Sequence, residues 1–375
     1  MMKLDAGLYI HVPFCRSKCP YCDFYSLSLR DELRREFVAA VRDEIITRRR
    51  SRQFLQETPR FDTIYFGGGT PSVLKAEDFD SLLSTIYSNL SISDNAEITV
   101  ECNPSSTDFS LLSSLKSCGV NRISIGMQSA VDRERRALGR AADSACVLDC
   151  IDSARRAGID NISLDIMLGI PHQSLTSLEQ SLSFCTRAEV PHISAYILSI
   201  EPNTVFDRRK SKLPLPEEDE LCRMHELMHD FLTAHSYEHY EISNFAKQNR
   251  QSRHNIKYWL GGAYWGIGPA AHSFIDKKRF YFDRDLQAFI DGRPAQLDCI
   301  GGDEEEFIML RLRLSQGLSF EAFRQSFDKE IDRSRLEKMK FYAQKGFASL
   351  DEFGFALNER GFLLSNKIIS DILFA

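Results

Sequence analysis

Three of the chain's ten cysteines fall within eight positions, in HVPFCRSKCPYCDFYS at residues 11–26. Cys15, Cys19 and Cys22 are spaced C-x3-C-x2-C, so one tight loop can direct three thiolates at one centre. Two chemistries compete for such a loop. Structural zinc takes four protein ligands, usually from paired C-x2-C knuckles, and no second knuckle occurs. A [4Fe–4S] cube held by three thiolates leaves one iron open to an exogenous ligand. The other cysteines, Cys102, Cys118, Cys146, Cys150, Cys185, Cys222 and Cys299, are scattered and read mostly as small buried hydrophobes.

A reactive loop needs rigid elements beneath it. Six short apolar, β-branched runs recur at 7–12, 61–66, 96–102, 121–127, 161–168 and 192–198. Stretches with helical spacing separate them: 28–50, with Ser28 and Asp31 as a capping pair, 75–90, and 144–159 with a glycine stop at Gly158. The alternation predicts parallel βαβ units and a barrel-like α/β domain, whose functional groups sit past the C-terminal ends of the strands. The unusual residues fall there. The cysteine loop follows the first strand, GGGTP (67–71) the second, Glu101 ends the third, Gln128 the fourth, and Asp165 lies in the fifth.

Past residue 200 the texture changes. An exposed connector (212–220) precedes a helix leading into a strand (225–246), and residues 251–274 have the Gly and aromatic content of loops and turns. From Gly301 the chain reads as mainly helical, ending in ALNERGFLLSNKII as a helix followed by a hairpin, a winged-helix-like appendage. Three segments result: a barrel over 1–240, a connecting segment over 241–300 and a smaller C-terminal domain over 301–375.

Charge excludes some functions. The 375 residues carry 47 Lys+Arg against 53 Asp+Glu, a net of -6, which argues against a general nucleic-acid or membrane-surface binder. Residues 301–375 hold 11 basic and 13 acidic side chains, so the appendage suits a structural or protein-contact role better than nucleic acid. The start, MMKLDAGLYIHV, has no charged-then-apolar leader, and no apolar run approaches the roughly 18 residues of a membrane span, so a cytoplasmic protein is expected.

CRSKCPYC, with an aromatic before the third cysteine and a strand before the loop, resembles the radical S-adenosylmethionine (SAM) family. The resemblance implies a partial (β/α)6 TIM-like barrel with a [4Fe–4S] cluster on Cys15, Cys19 and Cys22. The open iron is then chelated by the amino and carboxylate groups of SAM, whose reductive cleavage yields a 5′-deoxyadenosyl radical. It also implies SAM contacts from Gly68, Gly69 and Thr70 and from Glu101, Gln128, Arg140 and Asp165, with Tyr9 and Tyr21 flanking cluster and adenine. Without the family pattern these residues read as a turn, strand-end carboxylates, an exposed amide, a helix-surface arginine and a core aromatic.

Further motifs, YIHVPFC, YFGGGTPS, VECNP, SIGMQS, DIMLGIP, HNIKYW, GIGPAAHSF and ERGFLLSN, extend the resemblance along the chain to the anaerobic coproporphyrinogen oxidase group. Its oxidase branch, which decarboxylates two propionates of coproporphyrinogen III, carries a further cysteine two residues after the third, where this chain has Phe24. That branch also has a longer N-terminal extension, whereas this chain begins eight residues before Tyr9. The other branch, heme chaperones that bind heme and deliver it to acceptor proteins, carries HNxxY, here His254, Asn255 and Tyr258.

Imidazole is a usual axial heme ligand, and Trp259, Tyr264 and Trp265 suit porphyrin walls. The motif either supplies the ligand or shapes the pocket while another histidine bonds, from His225, His229, His235, His239 and His272. The pair His225/His229 reads as a solvated helix face. One departure is that relatives read Gly-Arg-Thr-His where this chain has Gly139, Arg140, Ala141 and Ala142. The expectation is a heme chaperone that uses a cluster, SAM and heme, with the oxidase as the alternative reading. The implied partners are heme-accepting proteins, respiratory ones among them, with a station at the membrane periphery and a homodimer linked to the cluster.

Overall fold

The computed structural model describes residues 5–50 and 59–375. The six β-branched runs form strands β1 (Ala6–Val12), β2 (Arg60–Gly68), β3 (Ser91–Cys102), β4 (Arg122–Gln128), β5 (Asn161–Leu168) and β6 (His192–Ile197). They pair in chain order, each parallel to the next, which is the partial (β/α)6 barrel expected. The register sets Leu8 beside Ile64, Ile64 beside Ile98, and Val100 beside Ile123.

The central strands β4 and β5 are buried almost throughout, as parallel strands covered on both faces must be. Phe37, Val41 and Ile45 of the helix Asp31–Arg50, and Leu82, Leu83 and Ile86 of Ala76–Asn89, join Ile10, Ile64, Val100 and Ile123 in one core. Each side chain so buried contributes roughly 1.5–3 kcal/mol. The helix Ser144–Arg156 stops as its glycine predicts: Gly158 has φ +81° and the Ile159 N–H returns to the Ala154 carbonyl at 2.9 Å. Ser28 does not cap the first helix. Leu27–Ser28 pairs with Phe14–Cys15, and the helix begins only at Asp31.

The stretch 251–274, whose composition reads as loop, instead builds structure. Just before it, where a strand is expected, β7 (Glu238–Glu241) and β8 (Asn244–Ala246) extend the sheet beyond β6. Within it a short helix (Arg253–Trp259) leads to β9 (Tyr264–Ile267), which pairs parallel to β1. Strands β10 (His272–Ile275), β11 (Lys278–Tyr281) and β12 (Gln296–Ile300) continue antiparallel from β9. The sheet order is β12-β11-β10-β9-β1-β2-β3-β4-β5-β6-β8-β7.

The C-terminal domain packs Ile308, Leu312, Phe323, Met339, Phe355 and Ile368 into a core of its own. Its hairpin (Ala348–Leu350 with Gly354–Leu357) precedes the last two helices, Glu359–Leu363 and Ser365–Leu373, so ALNERGFLLSNKII runs from strand into helices rather than from helix into hairpin. It docks on the barrel edge through Ile242 N–H to the Arg313 carbonyl, 2.9 Å, and Ser315 N–H to the Tyr240 carbonyl, 3.1 Å. His225 is buried there rather than solvated. His239 faces both it and His229, with ring centroids 6.4 and 5.4 Å away, and packs edge-on against Phe362 with ring centroids 5.0 Å apart. Among the described residues no helix is long and apolar enough to cross a membrane.

Candidate cluster and cofactor site

The cysteine loop is tied down at both ends. The Leu27 N–H donates to the Pro13 carbonyl at 2.8 Å and Leu29 N–H to the Cys15 carbonyl at 3.2 Å, while Phe14 is buried edge-on against Phe37. Within the loop the Cys22 N–H turns back to the Cys19 carbonyl at 3.2 Å, and the Pro20 carbonyl accepts from Phe206 N–H at 2.9 Å. The three thiols are half-buried, and burial pushes the Cys22 thiol up, with Cys19 and Cys15 adding to the shift. Among the described residues no three His, Cys, Asp or Glu side chains converge closely enough to share a single metal ion. Three thiolates that each bind a different iron of one cube need no such convergence.

GGGTP lies against this loop. Gly69 N–H donates to the Val12 carbonyl at 2.9 Å, Thr70 N–H to the Phe14 carbonyl at 2.8 Å, and the Thr70 hydroxyl to Cys15 Sγ at 3.4 Å. A Cβ on Gly69 would lie 2.7 Å from the Phe14 carbonyl oxygen. Gly68 has φ +106°, and a Cβ there would lie 2.6 Å from the His11 ring. Glycine is required at both places by conformation and close approach.

Beside the loop a polar ring crowns the strands. Arg140 donates to the Tyr21 hydroxyl at 3.1 Å, while Asp165 accepts from Ser124 Oγ at 2.9 Å and Glu101 from the Tyr65 hydroxyl at 2.9 Å. Burial raises the Glu101 carboxyl to about 7, and Asp165 adds to the rise. Burial likewise raises Asp165. Arg140 stays strongly cationic against burial because Tyr21, Cys19 and Asp165 face it, and its Nε is buried without a hydrogen-bond partner among the described residues. Gln128 is buried at the end of β4 with φ +71°, a strained conformation for a non-glycine residue at a strand end. SAM carries a sulfonium, an ammonium and a carboxylate. Two half-buried carboxyls whose ionisation is resisted and an arginine with an unpartnered donor suit those charges.

The HNxxY residues lie elsewhere. His254 is fully buried in the barrel: Nδ1 is 2.8 Å from the Thr63 hydroxyl, Nε2 is 2.8 Å from the Tyr258 hydroxyl, and the ring stacks on Tyr65 at 5.1 Å. Burial, then the charges of Lys257 and Arg122, hold it at about 3. Its main-chain N–H and that of Arg253 donate to the Glu97 carboxylate at 3.1 and 3.2 Å. Both ring nitrogens are engaged by neighbouring hydroxyls, Nδ1 by Thr63 and Nε2 by Tyr258. Asn255 is half-buried and does not line the neighbouring cavity, and Trp265 packs inward on Phe61.

That cavity, about 510 Å³, lies between the cysteine loop and the sheet extension. Phe24 and Tyr25 line it from the loop, Tyr9 and His11 from β1, Tyr258 and Tyr264 from the HNxxY region, and His272, Tyr281 and Arg284 from the antiparallel strands and the turn after them. Tyr9 therefore faces both regions, its hydroxyl 3.2 Å from His11 Nδ1. The sequence reading missed Tyr65, His11 and Ser124. Tyr65 alone carried a signal, being the inward residue two before GGGTP on an alternating strand.

The Radical SAM superfamily model matches residues 9–185 and the HemN C-terminal domain model matches 304–364. A heme chaperone HemW from Bacillus subtilis is 34% identical over 97% of this chain and 98% of its own length. The chain belongs to the HemW family. Another HemW, from Escherichia coli, is 34% identical over 92% of this chain and 95% of that protein. In fold, the chain superposes on the Escherichia coli coproporphyrinogen III oxidase HemN, described as a radical SAM enzyme. The TM-score is 0.85 at 21% identity, over 99% of this chain and 90% of that one. As a HemW-family chain it carries the radical SAM barrel and the HemN-type C-terminal domain in one continuous fold.

Proposed function

We propose that this protein is a heme chaperone: it holds a [4Fe–4S] cluster on Cys15, Cys19 and Cys22, binds SAM at the polar ring, and carries heme to acceptor proteins. The observation that carries the reading is the aromatic cavity of about 510 Å³ beside the cysteine loop, within the usual range for cofactor pockets. At its edge Phe24 stands two-thirds exposed, where the oxidase branch keeps a thiol. The named function of the HemW relatives supports it.

The cluster, when bound, supplies an electron and an open iron for SAM. The chain's own residues then have distinct tasks. Gly69 and Thr70 present an edge against the loop, Arg140 meets a carboxylate, and Glu101 and Asp165 ionise against positive charge. Thr70 donates to Cys15 Sγ, which tunes that thiolate. Hemin titration of the anaerobically reconstituted protein, followed in the Soret band, tests the reading. A saturable site is expected, and its absence, or vinyl products from coproporphyrinogen III with SAM and reductant, would overturn it.

A further inference from the structure

The heme reading leaves open which side chain meets the iron, and the nine histidines can be sorted by what each ring already does. His192 is held between Ser163 and Tyr240, and His254 between Thr63 and Tyr258. His11 is buried, its Nε2 2.9 Å from the Tyr25 carbonyl and its Nδ1 on Tyr9. His225, His229 and His239 face one another at the domain junction, and His172 and His235 lie away from the cavity. His272 differs: it lines the cavity, its ring is exposed, and among the described residues it makes no side-chain hydrogen bond.

Its backbone is rigidly placed. A Cβ on Gly266 would lie 2.0 Å from the His272 carbonyl oxygen, so GIGPAAHS brings two neighbouring strands into a contact that only glycine permits. The turn before it is clasped by Ala270 N–H to the Asp283 carbonyl and Phe282 N–H to the Ala271 carbonyl, both 2.9 Å. Across the sheet His272 pairs with Tyr281, ring centroids 5.9 Å apart.

We propose, building on the heme reading above, that His272 is the axial ligand of heme iron in this cavity, with Tyr258 and Phe24 against the porphyrin faces and Arg284 meeting a propionate. A free imidazole on a fixed strand, aromatic walls and an arginine that is more than half exposed are the three chemistries a carboxylated iron porphyrin needs. Arg284 now spends its guanidinium on Asp23, an exposed pairing that a propionate can replace at little loss. His254 acts one step back, through Tyr258.

The test compares wild type, His272→Ala and the exposed-surface control His235→Ala, each reconstituted with its cluster and titrated with hemin and, separately, with iron-free protoporphyrin IX. The His272 variant should bind hemin about tenfold more weakly or worse, with a displaced Soret band, and free imidazole should restore the wild-type band. Its affinity for the iron-free porphyrin should match wild type, because the walls remain. Cluster absorbance equal to wild type establishes that the variant is folded. Unchanged hemin affinity and Soret position in His272→Ala, with wild type binding normally, would overturn the ligand assignment alone. Failure of wild type to bind hemin would overturn the heme reading as well.

Discussion

Lowering the pH from 7 to 5 should remove about 2 kcal/mol of unfolding free energy through His254 alone. Its ring is buried between Thr63 and Tyr258, and burial followed by the charges of Lys257 and Arg122 holds it at about 3. In the unfolded chain the same ring titrates near about 6.5. Between those values the unfolded state takes up a proton that the native state refuses. The stability contribution is therefore fully present above the unfolded value and is lost as pH falls through it toward 3. At about 1.4 kcal/mol per pH unit, the roughly 1.5 units from 6.5 to 5 give the 2 kcal/mol.

Urea unfolding followed by tryptophan fluorescence at pH 7 and pH 5, on wild type and His254→Gln, isolates this contribution. Other titrating groups, His225 and His239 included, are common to both proteins. Wild type should lose about 2 kcal/mol more than the variant between the two pH values. Equal losses would show that His254 is not the buried neutral ring described, and with it the positioning role for Tyr258 would fall.

Three further outcomes follow from the site. Gly69→Ala forces a methyl to 2.7 Å from the Phe14 carbonyl oxygen, so stability should drop by about 1–3 kcal/mol in urea melts, with faster loss of the cluster absorbance in air. Arg140→Met removes the cation beside Tyr21 and should weaken SAM about tenfold or more by equilibrium dialysis, while iron content stays at the wild-type level. Cys19→Ala should abolish retention of about four irons per chain, whereas Cys185→Ala, a small core hydrophobe, should retain them by iron assay.

The barrel was legible because its signals are local. Each of the six strands is a β-branched run bounded by turn residues, and Gly158 ends its helix through contacts within five residues. The strand-end positions of the cysteine loop, Gly68, Glu101 and Gln128 followed from barrel geometry alone. Strands β9 and β10 were not legible. GGAYWGIGPAAHSF has turn composition, and it becomes sheet because Gly7 and Ile10 of β1, more than 250 residues earlier in the chain, pair with Tyr264 and Ile267.

The same distance hid the fate of His254. HNIKYW reads as a ligand motif on a loop, but Glu97 and Thr63 draw it into the barrel, where a buried imidazole must satisfy both nitrogens. Local patterning likewise hid the three-histidine junction, since His225 and His229 look solvated until His239 and Phe362 close over them.

The central claim, that the chain carries heme rather than oxidising a porphyrinogen, is tested most directly by hand-off. Cluster-reconstituted protein loaded with one equivalent of hemin is mixed anaerobically with an apo b-type hemoprotein, and the Soret band is followed. The account predicts that the acceptor's holo spectrum grows as the donor's band falls, in equal amounts. A loaded protein that keeps its heme, or one that never takes it up, would contradict it.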